Sequence, residues 1–222
     1  MTKASWRRIL WLTIFGIAMG YFEASVVVYL RALFYPRGFS FPLVNIRSYV
    51  LYVELVREIM SIVMMTGVAA LVGRNFIERF YYFCYIFGVW DIFYYVFLKL
   101  AINWPESLFT WDVLFLIPVP WVGPVWAPVL CSLLFIISCI LVVRAEDKGN
   151  PLRPHFVEWC LAILGGVIVI VSFCEEFRDI ISGKTPRSFA WHLFFLGMIL
   201  AVAAFVRAYM RAIGQCKMKN AE

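Results

Sequence analysis

Residues 113–143 read VLFLIPVPWVGPVWAPVLCSLLFIISCILVV, 31 consecutive positions with no charged side chain between Asp112 and Arg144. A helix crossing about 30 Å of hydrocarbon needs roughly 20 such residues, so this run exceeds one crossing. Its later part, from Val129, is free of proline and reads as a plain apolar helix. Its earlier part carries Pro118, Pro120, Pro124 and Pro128. Each proline removes a backbone donor and disfavours helix at the residue before it. The run therefore predicts a fourth span from about Leu108 to Val143, broken or re-entrant around Leu116–Pro128. Irregular backbone at membrane depth survives only where it is buried in protein or faces water. Carbonyls freed there are candidate ligands for a cation beside Asp112; a proline-kinked packing helix with no ligand is the plainer alternative.

Five further apolar runs flank this one: Ile9–Leu33, Ile46–Val72, Phe80–Ile102, His155–Ile181 and Phe189–Met210. Hydrophobic residues make up 64% of the chain and charged residues 15%, against roughly 45–50% and about 25% in soluble domains. That excess cannot be hidden inside one core of 222 residues, so apolar surface must meet lipid. A soluble domain, a disordered chain and a nucleic-acid binder are excluded. The expected fold is all-α, a polytopic membrane protein with six transmembrane helices in a single domain, 1–222. Strands are not expected, because no ten-residue segment alternates as a lipid-facing barrel strand must. Lys3, Arg7 and Arg8 before Ile9 imitate a secretion signal, but no clean small-x-small cleavage site follows, and the segment reads as a retained first span.

Lysine and arginine set the expected orientation. Of the 20, twelve fall on the side of the two termini and eight on the other. The reading is a multi-pass protein of the cell membrane with both termini cytoplasmic. Trp6, Trp104, Trp111, Trp159 and Trp191 fall at the expected interfaces, where amphipathic rings belong. The six cysteines form no CxxC pair and read as buried small hydrophobes.

The acids carry the functional signal. Eight of the 14 fall inside spans, at mid-depth or in the outer half: Glu23, Glu54, Glu58, Asp91, Asp112, Glu175, Glu176 and Asp179. At 1.5 Å per residue, Glu54 and Glu58 lie roughly 10 and 15 Å below the outer end of their helix. An ionised group at mid-bilayer costs at least about 2.5–3.5 kcal/mol. Such groups must therefore face inward, pair, take up protons, bind a cation or line a wet cavity. Five helices supply them at comparable height, which predicts a shared chamber.

Within Glu54-Leu55-Val56-Arg57-Glu58, the two glutamates stand four apart on one helix face, and Arg57 reaches back to Glu54. Glu175-Glu176-Phe177-Arg178-Asp179 repeats the Glu-x-x-Arg-acid spacing. Structural ion pairing is the plain reading of both, but the acids outnumber the nearby cations. The expected function is cation binding for transport, either a divalent metal or a proton-coupled site. Glu54 and Glu58 are the core ligands, Glu23 and Asp91 complete the set, and Arg57 sets the charge balance. Oxygen ligands suit magnesium, calcium or manganese. Asp112, Glu175, Glu176, Arg178 and Tyr94 are expected around the pocket. The rival is an intramembrane enzyme acting on a lipid or isoprenoid, with Glu58 and His192 as acid–base groups and Arg57 or Arg178 holding an anionic head group. A third reading is an accessory subunit whose acids dock a partner. Expected partners are the lipid bilayer and a second copy or another membrane subunit. No Walker loop, GxGxxG, GxSxG or HExxH is present.

Overall fold

The computed structural model describes residues 1–44 and 47–219. The expected start of the second span at Ile46, and Glu222, lie outside them. Seven helices and two strands follow in order: α1 (Lys3–Phe34), α2 (Ser48–Val72), α3 (Phe76–Ile102), β1 (Trp111–Phe115), β2 (Trp121–Pro124), α4 (Trp126–Asp147), α5 (Phe156–Cys174), α6 (Phe177–Ile181) and α7 (Trp191–Lys219). Six helical segments, counting α5 and α6 as one, are long and apolar enough to cross a membrane.

Lipid as solvent explains why these runs are helical: a helix satisfies its own backbone where water cannot. It also explains their inverted patterning. The buried residues of α2 are Glu54, Glu58, Ser61, Met65 and Ala69, one face at spacings of three and four. Its outward face holds Val53, Ile59, Val63 and Leu71, the last 89% exposed. Local signals set the ends. Asn75 caps α3 by accepting the Glu78 N–H at 3.0 Å, and Asn103 closes that helix in the left-handed region, φ 53°, where asparagine is among the residues tolerated.

Helices α1, α3 and α4 pack side by side, with α2 against α3. Helices α5 and α7 pack chiefly on each other and reach the rest through β2 and α4. Gly165 explains the closeness of that pair: a Cβ there would stand 2.6 Å from the Gly197 carbonyl oxygen. Of the adjacent Gly165 and Gly166, Gly165 makes the close approach. Gly166 has open space around its Cα.

Both described ends of the chain lie at one face of the bundle, called here the terminal face. There Thr2 N–H and Ser5 Oγ donate to Asp147 at 2.6 and 2.8 Å, and Arg211 of α7 meets Glu158 of α5 at 2.8 Å.

Two expectations are corrected. Strands do exist: β1 and β2 form an antiparallel hairpin, Asp112 opposite Gly123 and Phe115 opposite Trp121, with an irregularity between Val113 and Phe115. Strands of five and four residues, at the start of and within the uncharged run, are too short to carry the alternation of a barrel strand. The helix of the fourth run starts only at Trp126. The fifth run, expected to be one helix to Ile181, is interrupted after Cys174 and resumes as the short α6. The turn falls on the adjacent acids Glu175 and Glu176.

Candidate functional site

The hairpin does not lie flat across the bundle end. Phe115 lies nearly parallel to Phe87, midway along α3, with ring centroids 6.3 Å apart, and it tilts against Trp90 at 6.1 Å. The Leu116 N–H donates to Glu58 Oε2 at 3.0 Å, a position roughly 15 Å along α2 from its start. The hairpin tip thus reaches the middle of the helices, and a backbone group there is satisfied by a buried carboxylate.

Helix α2 supplies the rest of the polar centre. Arg57 donates from Nε to Glu54 Oε2 at 2.8 Å, and its Nη1 meets Glu23 of α1. Ser61 Oγ lies 3.4 Å from the other Glu23 oxygen. Across the chamber, Asp91 of α3 accepts from Ser132 Oγ of α4 at 2.8 Å. Glu23, Glu54, Glu58 and Asp91 are all buried. Glu58 and Asp91 have no ion-pair partner among the described residues.

These groups end a cavity of about 680 Å³. Glu23, Arg57, Glu58, Asp91 and Tyr94 line its polar end. The remaining wall is largely apolar and aromatic, including Phe87, Trp90, Phe115, Trp121, Phe173 and Met198, and it extends toward the terminal face to Trp159, Phe205 and the buried Glu158. Gly166 lines it as well, which accounts for the open space beside that residue. The cavity runs between the α3–α4 side and the α5–α7 pair, where the two halves of the bundle touch least. The indole Nε1 atoms of Trp90 and Trp121, both lining residues, have no partner among the described residues.

A second buried pair stands at the hairpin base. Arg31 of α1 binds Asp112 at 3.1 Å, with its guanidinium 3.6 Å from the Trp104 ring centroid and 4.5 Å from that of Phe39. Arg31, in the last turn of α1, is buried inside the protein. The Trp and Phe that cover it come from the loops, so no periodicity in α1 announced them.

The expected site residues therefore separate. Glu23, Glu54, Arg57, Glu58, Asp91 and Tyr94 gather at one place. Asp112 belongs to the neighbouring Arg31 pair and does not line the cavity. Glu175, Glu176 and Arg178 lie where α5 gives way to α6, with Glu175 and Arg178 exposed; Glu176 accepts the Arg187 N–H at 3.4 Å. His192 is exposed on the first turn of α7. None of these four lines the cavity. The second Glu-x-x-Arg-acid pattern thus occupies a surface turn, where Asp179 pairs with Lys184 at 2.8 Å. Ser61 and Ser132 were not anticipated. Ser61, three after Glu58 on the same face, is the one a helical wheel would have found.

The fold and this centre define a multi-pass membrane protein with a largely apolar internal cavity ended by carboxylates. No family model matches the chain, and no curated protein or solved structure matches it. Among the described residues, no three His, Cys, Asp or Glu side chains gather as a metal-binding group. The Arg57 guanidinium occupies the place between Glu23 and Glu54 that a cation bridging them would take.

Proposed function

We propose that this protein takes the apolar chain of a lipid or isoprenoid into the cavity and acts on its head group with the residues at the polar end. One observation carries the reading: a cavity of about 680 Å³, walled by aromatic and aliphatic side chains, ends in buried carboxylates beside an arginine. Ligand sites combine this kind of apolar wall with a few placed polar groups. In this reading Glu58 is the acid–base group, because no cationic side chain holds it in one charge state. Arg57 sets the charge of the centre and faces an anionic head group. The hairpin is re-entrant, both termini are cytoplasmic, and the polar end lies in the non-cytoplasmic half of the cell membrane.

A second reading is favoured by the charge balance. Arg57 pairs with Glu23 and Glu54, and Glu58 and Asp91, which line the same cavity, have no ion-pair partner among the described residues. Protons, or a hard cation of the magnesium, calcium or manganese class held by Glu58 and Asp91, would balance them and serve transport.

Native mass spectrometry of protein taken from membranes in nanodiscs tests the first reading. Gly166→Phe projects a ring into the cavity without meeting a neighbour at its Cβ, and Gly67→Phe does the same on the outside of α2. A long-chain lipid retained by wild type and by Gly67→Phe, and lost from Gly166→Phe, is the expected result. Equal retention by all three overturns the reading. Elemental analysis of wild type against Glu54→Gln/Glu58→Gln tests the second: a divalent metal present in the first and absent from the other supports it.

A further inference from the structure

Away from the cavity's polar end, at the terminal face, a smaller pocket of about 240 Å³ is lined by Pro151, Arg153, His155, Ala208, Arg211 and Ala212 and adjoins the cavity at Ala208. It lies where the loop after α4 leads into α5, against the last turns of α7. Its guanidinium groups are partly fixed in place. Arg211 donates from Nη1 and Nη2 to the two oxygens of Glu158, each at 2.8 Å, and from Nη2 to the Arg153 carbonyl at 3.2 Å. Arg207 Nε stands 3.3 Å from the same carboxylate. Glu158 is thus the single acid among three arginines, and Arg153 has no ion pair among the described residues. The Glu158 carboxylate also accepts the His155 N–H at 2.5 Å, so the acid is fully occupied and the positive excess is left to the pocket. The start of α5, 19 residues long, adds the positive end of its dipole.

The surroundings identify the level of this pocket. Phe156 is 82% exposed and Met210 64%, and both belong to helices apolar enough to cross the membrane. The arginines therefore stand at the boundary between apolar helix surface and the polar loops, the depth at which head groups lie.

We propose that this pocket binds a phosphate group at the membrane surface, the phosphodiester of an anionic phospholipid or a free phosphate. Arg153 lines the pocket and supplies the free donors, Arg211 is held by Glu158 as the floor, and Arg207, outside the lining but paired with the same carboxylate, adds its charge beside it. Basic pockets between transmembrane helices bind lipid head groups in this way. The proposal is independent of the reading of the cavity, since no residue carrying the phosphate lies at the cavity's polar end.

The test uses the full chain in nanodiscs of mixed phosphatidylglycerol and phosphatidylcholine, with retained lipids counted by native mass spectrometry. Wild type is expected to retain phosphatidylglycerol in preference to phosphatidylcholine. Arg153→Gln/Arg207→Gln is expected to lose about thirtyfold of that preference, the factor for about 1 kcal/mol per arginine. Both side chains are exposed, and Arg211 keeps its two hydrogen bonds to the buried Glu158 in this variant. Lys3→Gln/Arg7→Gln removes the same charge from the same face and is expected to keep the preference. Excess inorganic phosphate separates the two sources: a preference that persists assigns the lipid, and one abolished by phosphate assigns a soluble phosphate at the same residues. An equal fall in the two double variants, or no fall in the Arg153/Arg207 variant, overturns the proposal.

Discussion

The Glu58 carboxylate, on the buried face of α2, accepts a hydrogen bond from the main-chain N–H of Leu116 at 3.0 Å. The hairpin tip reaches the cavity, and the acid that meets it there is the one assigned to acid–base work. Replacement by glutamine keeps an acceptor in place; replacement by alanine leaves a buried N–H unsatisfied, at about 1–3 kcal/mol. Glu58→Ala is therefore expected to lose roughly that much in a detergent-unfolding titration, while Glu58→Gln stays near wild type. Equal losses would show that the carboxylate's charge, and not its bond to the hairpin, holds the tip.

Arg57 pairs with two carboxylates from two helices. Removing one partner of a buried ionic group costs about 3–5 kcal/mol, because the other charges stay buried without compensation. Arg57→Met is expected to lose about that much. Adding Glu23→Gln and Glu54→Gln to it should restore most of the stability. If the triple variant is as unstable as the single, the three side chains do not act as one unit.

Arg31 is held by face contact as much as by charge. Its guanidinium lies over Trp104 and pairs with Asp112. Lysine keeps the charge and loses the planar stack, a contact worth about 2 kcal/mol when desolvated. Arg31→Lys is expected to fall by about that amount and to shift tryptophan emission. No loss in Arg31→Lys would mean that the ion pair alone matters, and a loss as large as that of Arg31→Met would mean that the charge contributes nothing.

The two adjacent glycines of α5 are expected to respond in opposite ways. At Gly165 an added methyl meets the Gly197 carbonyl oxygen at 2.6 Å, and backbone cannot swing aside. Overpacking of this kind costs about 1–3 kcal/mol. Gly165→Ala should destabilise by that amount in the same titration. Gly166→Ala should be neutral or slightly stabilising, since its side faces the cavity and alanine is the better helix former.

The spans and the inward face of α2 were legible from the chain alone. Lipid imposes one requirement on every segment: roughly 20 apolar residues in helical form, any charge turned inward. Residue order states that requirement completely, and Glu54, Arg57, Glu58 and the long run after Val129 obey it. The Arg57–Glu54 contact was legible for the same reason, being local to one helix. The hairpin of Trp111–Pro124, the Arg31–Asp112 pair and the union of Asp91 with Ser132 were not. The last two join segments tens of residues apart, the hairpin is held at Glu58 by a helix far from it in sequence, and the side chains that satisfy a buried polar group are chosen by which surfaces finally touch. The surface acids show the same limit from the other side. Glu175-Glu176-Phe177-Arg178-Asp179 matches the α2 pattern in spacing, yet the helix turns away there. Whether a carboxylate ends in a chamber or at a surface turn depends on the path of the backbone around it, and packing between distant elements decides that path.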